Sequence, residues 1–156
     1  MATIEIRRMD PQRVLAFHHV GPYEKCGAAW EQLCAFAGPK GLFGPNTRMI
    51  GMSHDDPREV PAAELRYDAC MTIEADLEVS APAAIKEIPG GEYAFTVHEG
   101  AYEKLSNTYH GVLEEWVEAN GRKIAAAPCF EIYLNNPEST PVEELRTEVY
   151  LPLEPQ

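Results

Sequence analysis

Basic residues are scarce in this chain: 13 Lys and Arg stand against 25 Asp and Glu in 156 residues, a net charge of −12. Duplex binding draws its affinity from Lys and Arg that neutralise phosphates. With no basic cluster present, direct nucleic-acid binding is not expected. Apolar runs are short as well, and none approaches the ~20 residues of a membrane helix. The opening Met1-Ala2-Thr3-Ile4-Glu5 has no charged segment followed by an apolar one, so no secretory signal is read and a cytoplasmic location is expected. Cysteines number four (Cys26, Cys34, Cys70, Cys129), with no Cys-x-x-Cys pair and no His at zinc-finger spacing. Each sits in an apolar setting, so reduced core thiols are expected. No metal site and no cofactor are expected. Surplus acidity suits a cationic ligand or a basic protein surface, and it also serves plain solubility.

What the chain does have is an echo of itself. His19-Val20-Gly21-Pro22-Tyr23-Glu24-Lys25 returns as His98-Glu99-Gly100-Ala101-Tyr102-Glu103-Lys104, five of seven positions identical at an offset of 79. Pro57 to Arg66 returns as Pro137 to Arg146 at an offset of 80, with both prolines, a Glu, the Leu and the Arg kept. A one-residue insertion between the blocks reconciles the two offsets. Repeats of this kind signal a duplicated supersecondary unit. The boundaries read as 4–74 and 83–154 within a single domain spanning 1–156.

The pattern inside each copy is strand, helix, strand, strand. Cys26, Trp30, Leu33, Cys34 and Ala37 fall on one helical face, as do Leu105, Tyr109, Val112, Leu113 and Trp116, 79 residues on. Pro22 suits a first helical turn, and Gly38-Pro39 and Asn120-Gly121 suit the stops. Strands are predicted over 14–19, 49–53 and 67–73, and over 93–98, 129–134 and 147–151. Short stretches at Ile4-Glu5-Ile6 and Ala84-Ile85-Lys86 are expected to add a strand to their own copies. The result is an α+β fold: an antiparallel sheet with helices on one face, pseudo-twofold symmetry, and a ligand groove where the copies meet.

Glu131 is the chemical focus. It lies mid-strand among apolar residues, with Cys129 and Tyr133 on its face, and a carboxylate there is costly to bury without a partner. Its counterpart is Gly51, so a charge faces open space across the expected symmetry. That suits a pocket floor that attracts a cation or handles a proton; a solvent-facing Glu on a half-exposed sheet is the alternative. Glu148 and Tyr150 share a face of the last strand and could extend the same wall, or form a polar outer face. For Glu148 the outer face is favoured. Trp30, Tyr109 and Trp116 lie on the helical stripes, where core packing competes with lining a groove; Tyr109 and Trp116 are expected to line it. His19 and His98, two residues before the repeated Gly, suggest a structural role at the strand-to-helix turn. His54-Asp55-Asp56 reads as a loop before Pro57, not a metal fragment.

Taken together, the run from His19 to Glu24, Ile50-Gly51-Met52-Ser53-His54-Asp55-Asp56-Pro57, Leu65 to Cys70, Ile88 to Ala94, His98 to Tyr102 and Pro128 to Pro137 resembles the GyrI-like family over almost the whole chain. That family includes effector-binding domains of AraC-type and MerR-type multidrug regulators and stand-alone DNA gyrase inhibitory proteins. The resemblance implies a duplicated fold with an aromatic, acidic groove for small lipophilic or cationic molecules. Glu131 stands at the family's acidic strand position, and Tyr133 and Tyr150 match wall positions. It also implies two alternatives: a hydrolase of cyclopropane-bearing genotoxic compounds, in which the groove Glu assists water attack, and a protein inhibitor of gyrase. Ala101, where the first copy has Pro22, departs from the pattern and is expected to soften the second helix start. The helix-turn-helix of AraC-type regulators is not read here, and Met1 favours a stand-alone member.

Overall fold

A computed structural model describes residues 3–74 and 76–155. Two compact units emerge. One is the continuous stretch Pro11–Ile88; the other joins the described residues up to Asp10 with those from Pro89 onward. No helix among the described residues is long and apolar enough to cross a membrane.

In the Pro11–Ile88 unit, four antiparallel strands run in the order β5 (Ala83–Ile88), β2 (Gln12–Val20), β4 (Arg66–Thr72), β3 (Met49–Ser53). Helix α1 (Gly27–Ala37) lies on one face. Its buried Ala29, Leu33 and Ala37 meet Leu15 and Phe17 of β2 and Tyr67, Ala69 and Met71 of β4, the alternate residues of each strand. Gly38 then donates its N–H to Cys34 O, and Gly41 takes a positive φ of 64°. The second unit repeats the plan with β1 (Glu5–Met9), β6 (Gly91–Glu99), β8 (Arg146–Pro152) and β7 (Cys129–Tyr133) in that order. Its helix, residues 105–119, packs Leu105, Leu113 and Val117 on Ala94, Val149 and Leu151. Antiparallel strands with one helical segment per unit make the fold α+β.

The short outer strands do not join their own sequence halves. β1 pairs with β6, and β5 pairs with β2. The reason is edge availability. Both edges of β2 are taken, by β4 and β5, so β1 cannot pair there although only Asp10 and Pro11 separate them. Both edges of β6 are likewise taken, by β8 and β1.

At the strand-to-helix turns, Gly21 and Gly100 have φ of 135° and 110°, a region L side chains rarely adopt. Their N–H groups donate to Leu65 O and Leu145 O. His19 Nε2 bonds Pro22 O at 3.0 Å and His98 Nε2 bonds Ala101 O at 2.9 Å, a structural use of the matched pair. Pro22 stands in extended conformation before a 3-10 turn (Tyr23–Lys25), not inside the helix, and Ala101 before Tyr102–Lys104 adopts nearly the same angles. The Pro-to-Ala change therefore leaves the entry geometry unaltered. The thiols are less uniform than expected: all four are free, Cys70 is buried, Cys26 and Cys129 are half-buried, and Cys34 is exposed because it lies outside the buried stripe of α1.

Candidate functional site

Strand β7 alternates cleanly. Phe130 and Ile132 face one side, and Cys129, Glu131 and Tyr133 face the helix side, where Cys129 packs against the core under the second helix. Glu131 is only 7% exposed. Two phenols satisfy it: Tyr133 donates to Oε2 at 2.8 Å and Tyr109 to Oε1 at 3.0 Å. Burial pushes the Glu131 carboxyl above its ordinary range, and the hydrogen bonds from Tyr133 and Tyr109 pull only part of the way back. Tyr102 stacks edge-on against Tyr133, ring centroids 5.4 Å apart. Its own phenol is pushed up, first by burial and then by the negative charge of Glu131. Tyr109 and Tyr133, which bond the acid, and Tyr102, set against Tyr133, are all half-buried, so three phenols lie about a sunken acid.

How Tyr109 reaches Glu131 is set by an irregularity in the helix. Residues Leu105–Asn107 and Glu114–Ala119 are α-helical, and Thr108–Leu113 between them is π-helical, with Glu114 N–H reaching Tyr109 O five residues back. The 3-10 turns of the two units match at an offset of 79, whereas buried Leu113 and Val117 match Leu33 and Ala37 at 80, as β7 matches β3. The π-turn is therefore where the offset between the two units changes from 79 to 80. This corrects the helical stripe drawn at a constant 79. Val112 is 40% exposed, and Val117, not Trp116, takes the buried place. Trp116 is half-buried and packs at the edge of the core.

The matched positions of the other unit carry no acid. There Trp30 Nε1 donates to Tyr67 OH at 3.2 Å, and Gly51 is a buried residue of β3. At the places of Trp30, Gly51 and Tyr67, the second unit has Tyr109, Glu131 and Thr147. Thr147 is fully buried, lies across from Tyr133 on β8, and shares the helix-side face with Val149, the cross-strand partner of Glu131. Its Oγ1 has no hydrogen-bond partner among the described residues. Sequence reading passed over Thr147, because only the strand register brings it beside Tyr133.

Tyr150 does not join this group. It sits on the opposite face of β8, stacked on Phe130 with centroids 4.4 Å apart and an interplanar angle of 11°. Its hydroxyl donates to Glu148 Oε1 at 2.9 Å and accepts from Arg7 Nη1 at 3.4 Å. Burial and the neighbouring Glu148 push its phenol up to about 12. The expected wall of Glu131, Tyr133, Tyr150 and Glu148 is thus split between two faces, because Glu131 pairs with Val149 and not with Glu148 or Tyr150. An open cleft of about 560 Å³ lies on Tyr150's side, lined by Thr3, Glu5, Arg7, Phe95, Val97, Glu99 and Arg146; Glu131 does not line it.

A second polar group, also missed, lies in the Pro11–Ile88 unit. Asp68, with a fully buried side chain, accepts from His18 Nδ1 at 2.9 Å, His54 Nε2 at 2.5 Å and Lys86 Nζ at 2.8 Å. Burial alone would raise its acid, but hydrogen bonds from His54, Lys86 and His18 hold it well below the usual carboxylate range. Asp55 pairs through both oxygens with Arg66, which makes the His54-Asp55-Asp56 segment a pinned loop.

Comparison with known proteins agrees with the fold and places the chain. It is 30% identical over 157 residues to a protein of Erwinia billingiae (strain Eb661) named DNA gyrase inhibitor, covering 96% of each chain. The crystal structure of the EcmrR C-terminal domain superposes with a TM-score of 0.79 over 99% of this chain and 98% of that one, at 18% identity. SAV2435, solved bound to tetraphenylphosphonium, superposes with a TM-score of 0.61 over 97% and 94%, at 14% identity. The model of the GyrI-like small molecule binding domain matches residues 2–154, and the chain belongs to that family.

Proposed function

We propose that this protein captures a small lipophilic cation on the helix-side face of β7, with Glu131 as the counter-charge and Tyr102, Tyr109, Tyr133 and Trp116 as the aromatic rim. The observation that carries this reading is a carboxylate 7% exposed, held by two phenols and bonded to no cationic side chain among the described residues. A buried acid without a protein cation is poised for one from outside. Aromatic faces add cation–π attraction worth about 0.5–2 kcal/mol per contact. The family is one of small-molecule binding domains, and the structural neighbour SAV2435 holds a lipophilic phosphonium.

A thermal-shift screen with planar cationic dyes tests the reading. Dyes that raise the melting temperature of the native protein should lose most of that effect in Glu131→Gln. No stabilisation by any dye, or equal stabilisation of the variant, contradicts it.

The Erwinia relative's name favours a second reading, in which the protein contacts gyrase, and the net charge of −12 suits a basic, DNA-handling surface. Added protein should then inhibit supercoiling; unchanged activity at excess protein removes this reading. Hydrolysis of a strained electrophilic ring would use the same raised acid as a proton donor or base. Mass spectrometry for a water adduct of a cyclopropane alkylator, lost in Glu131→Gln, is its test.

A further inference from the structure

We infer that Thr147 is a specificity residue of the Glu131 site, and that the site selects protonated amines, which carry N–H groups, over permanently quaternised cations. This rests on the cation-binding reading above and names the ligand class within it.

The argument is a count of donors and acceptors. Tyr109 and Tyr133 have each spent their one hydroxyl hydrogen on Glu131. An ionised carboxylate offers about four lone-pair positions, of which the two phenols take two. Next to Tyr133 on the neighbouring strand, the Thr147 hydroxyl is buried and bonded to nothing among the described residues. Leaving a buried hydroxyl unmatched is unfavourable, and native interiors rarely tolerate it.

The Glu131 carboxylate therefore keeps open lone pairs and the Thr147 hydroxyl neither gives nor receives a hydrogen bond among the described residues, at a position where burial also disfavours a negative charge. A quaternary ammonium or phosphonium corrects the charge but brings no hydrogen, so Thr147 Oγ1 and the spare carboxylate lone pairs stay as they were. An alkylammonium with two or three N–H groups corrects both. One hydrogen goes to Glu131, and another reaches Thr147 directly or through one bridging water. The hydroxyl hydrogen of Thr147 rotates freely, so its oxygen can be presented to the ligand. The corresponding position of the other unit is Tyr67, whose hydroxyl is occupied by Trp30. The unmatched hydroxyl is thus found in the unit that carries the acid.

The test uses two probes that share one ring system: N-methyl-(anthracen-9-ylmethyl)ammonium and trimethyl-(anthracen-9-ylmethyl)ammonium. Affinities are read by fluorescence near pH 7 for the native protein, Thr147→Val, Thr147→Ser and Glu131→Gln. One added charge-assisted hydrogen bond should give the native protein a preference of about 5-fold or more for the N–H probe. Thr147→Val, nearly the same shape without the hydroxyl, should bring that ratio towards one, and Thr147→Ser should keep it. If both probes bind, both are lost in Glu131→Gln, and the native ratio is near one, the inference fails while the cation site stands. A preference that survives in Thr147→Val also overturns it. Binding of neither probe overturns the cation site and this inference with it.

Discussion

The Tyr133 hydroxyl donates to Glu131 Oε2 at 2.8 Å from two residues further along the same face of β7, so the strand itself supplies both the acid and its first satisfying donor. The second donor, Tyr109, comes from the π-turn of the overlying helix. Strand alternation and one extra helical residue together assemble the group.

Glu131 should make the protein less stable as pH rises. Its folded acid titrates above its ordinary range near ~4.3. In the unfolded chain the acid ionises first, so the contribution favouring the fold is complete below about 4 and is lost as pH climbs through the folded value. Glu131→Gln removes this penalty. Its melting temperature should exceed that of the native protein by a few degrees at pH 7.5, taking about 2–4 °C per kcal/mol for a chain of this size. The difference should vanish at pH 4. Calorimetry at both pH values checks it, and a variant equally stable or less stable at pH 7.5 counts against the burial argument.

Asp68 should behave oppositely. Its folded acid is held well below the usual range, so its contribution is complete above about 4 and is lost as pH falls below that. Asp68→Asn strands Lys86 beside two histidines, at a cost of about 3 kcal/mol; the partners are partly exposed, which keeps the figure at the low end for a broken buried pair. Urea denaturation should show that loss at pH 7 and a progressively smaller one as pH falls below about 4. An unchanged midpoint at pH 7 would mean that the four groups are no more than a solvated cluster.

Deleting Gly111 tests the π-turn. This residue is exposed, and nothing lies within 4 Å of where its Cβ would be, so its loss removes length without removing packing. The shortened helix should become α-helical throughout, with stability within about 1 kcal/mol of the native protein. Dye binding should fall steeply as Tyr109 loses its alignment with Glu131. Unfolding of the variant, or dye binding at native strength, contradicts the role given to the turn.

How much of this is written locally in the sequence differs by element. Periodicities of two and near 3.6 are local, so the strand–helix–strand–strand order within each unit was readable, and the isolation of Glu131 between Phe130 and Ile132 marked it at once. The π-turn was hidden because the residues at offsets of 79 and 80 are both apolar, Val112 beside Leu113 and Trp116 beside Val117. Either stripe looks plausible until burial separates them. Tyr150, Thr147 and the Asp68 cluster depend on register between strands. Alternation says which residues of one strand share a face, and only pairing says which face meets Glu131. The placement of β1 and β5 depends on which edges are already occupied, a property of the assembled sheet.

The most direct measurement is the carboxyl carbon shift of Glu131 by NMR, in protein labelled at glutamate side chains and titrated with a lipophilic ammonium. Assignment comes from the resonance missing in Glu131→Gln. Without ligand, Glu131 should lose its proton at a pH above the ordinary carboxyl range. With ligand bound, its titration should move down by more than one unit, because a positive charge now faces it. A Glu131 carboxyl that titrates within the ordinary range, or one whose titration stays put while ligand binds, contradicts the account.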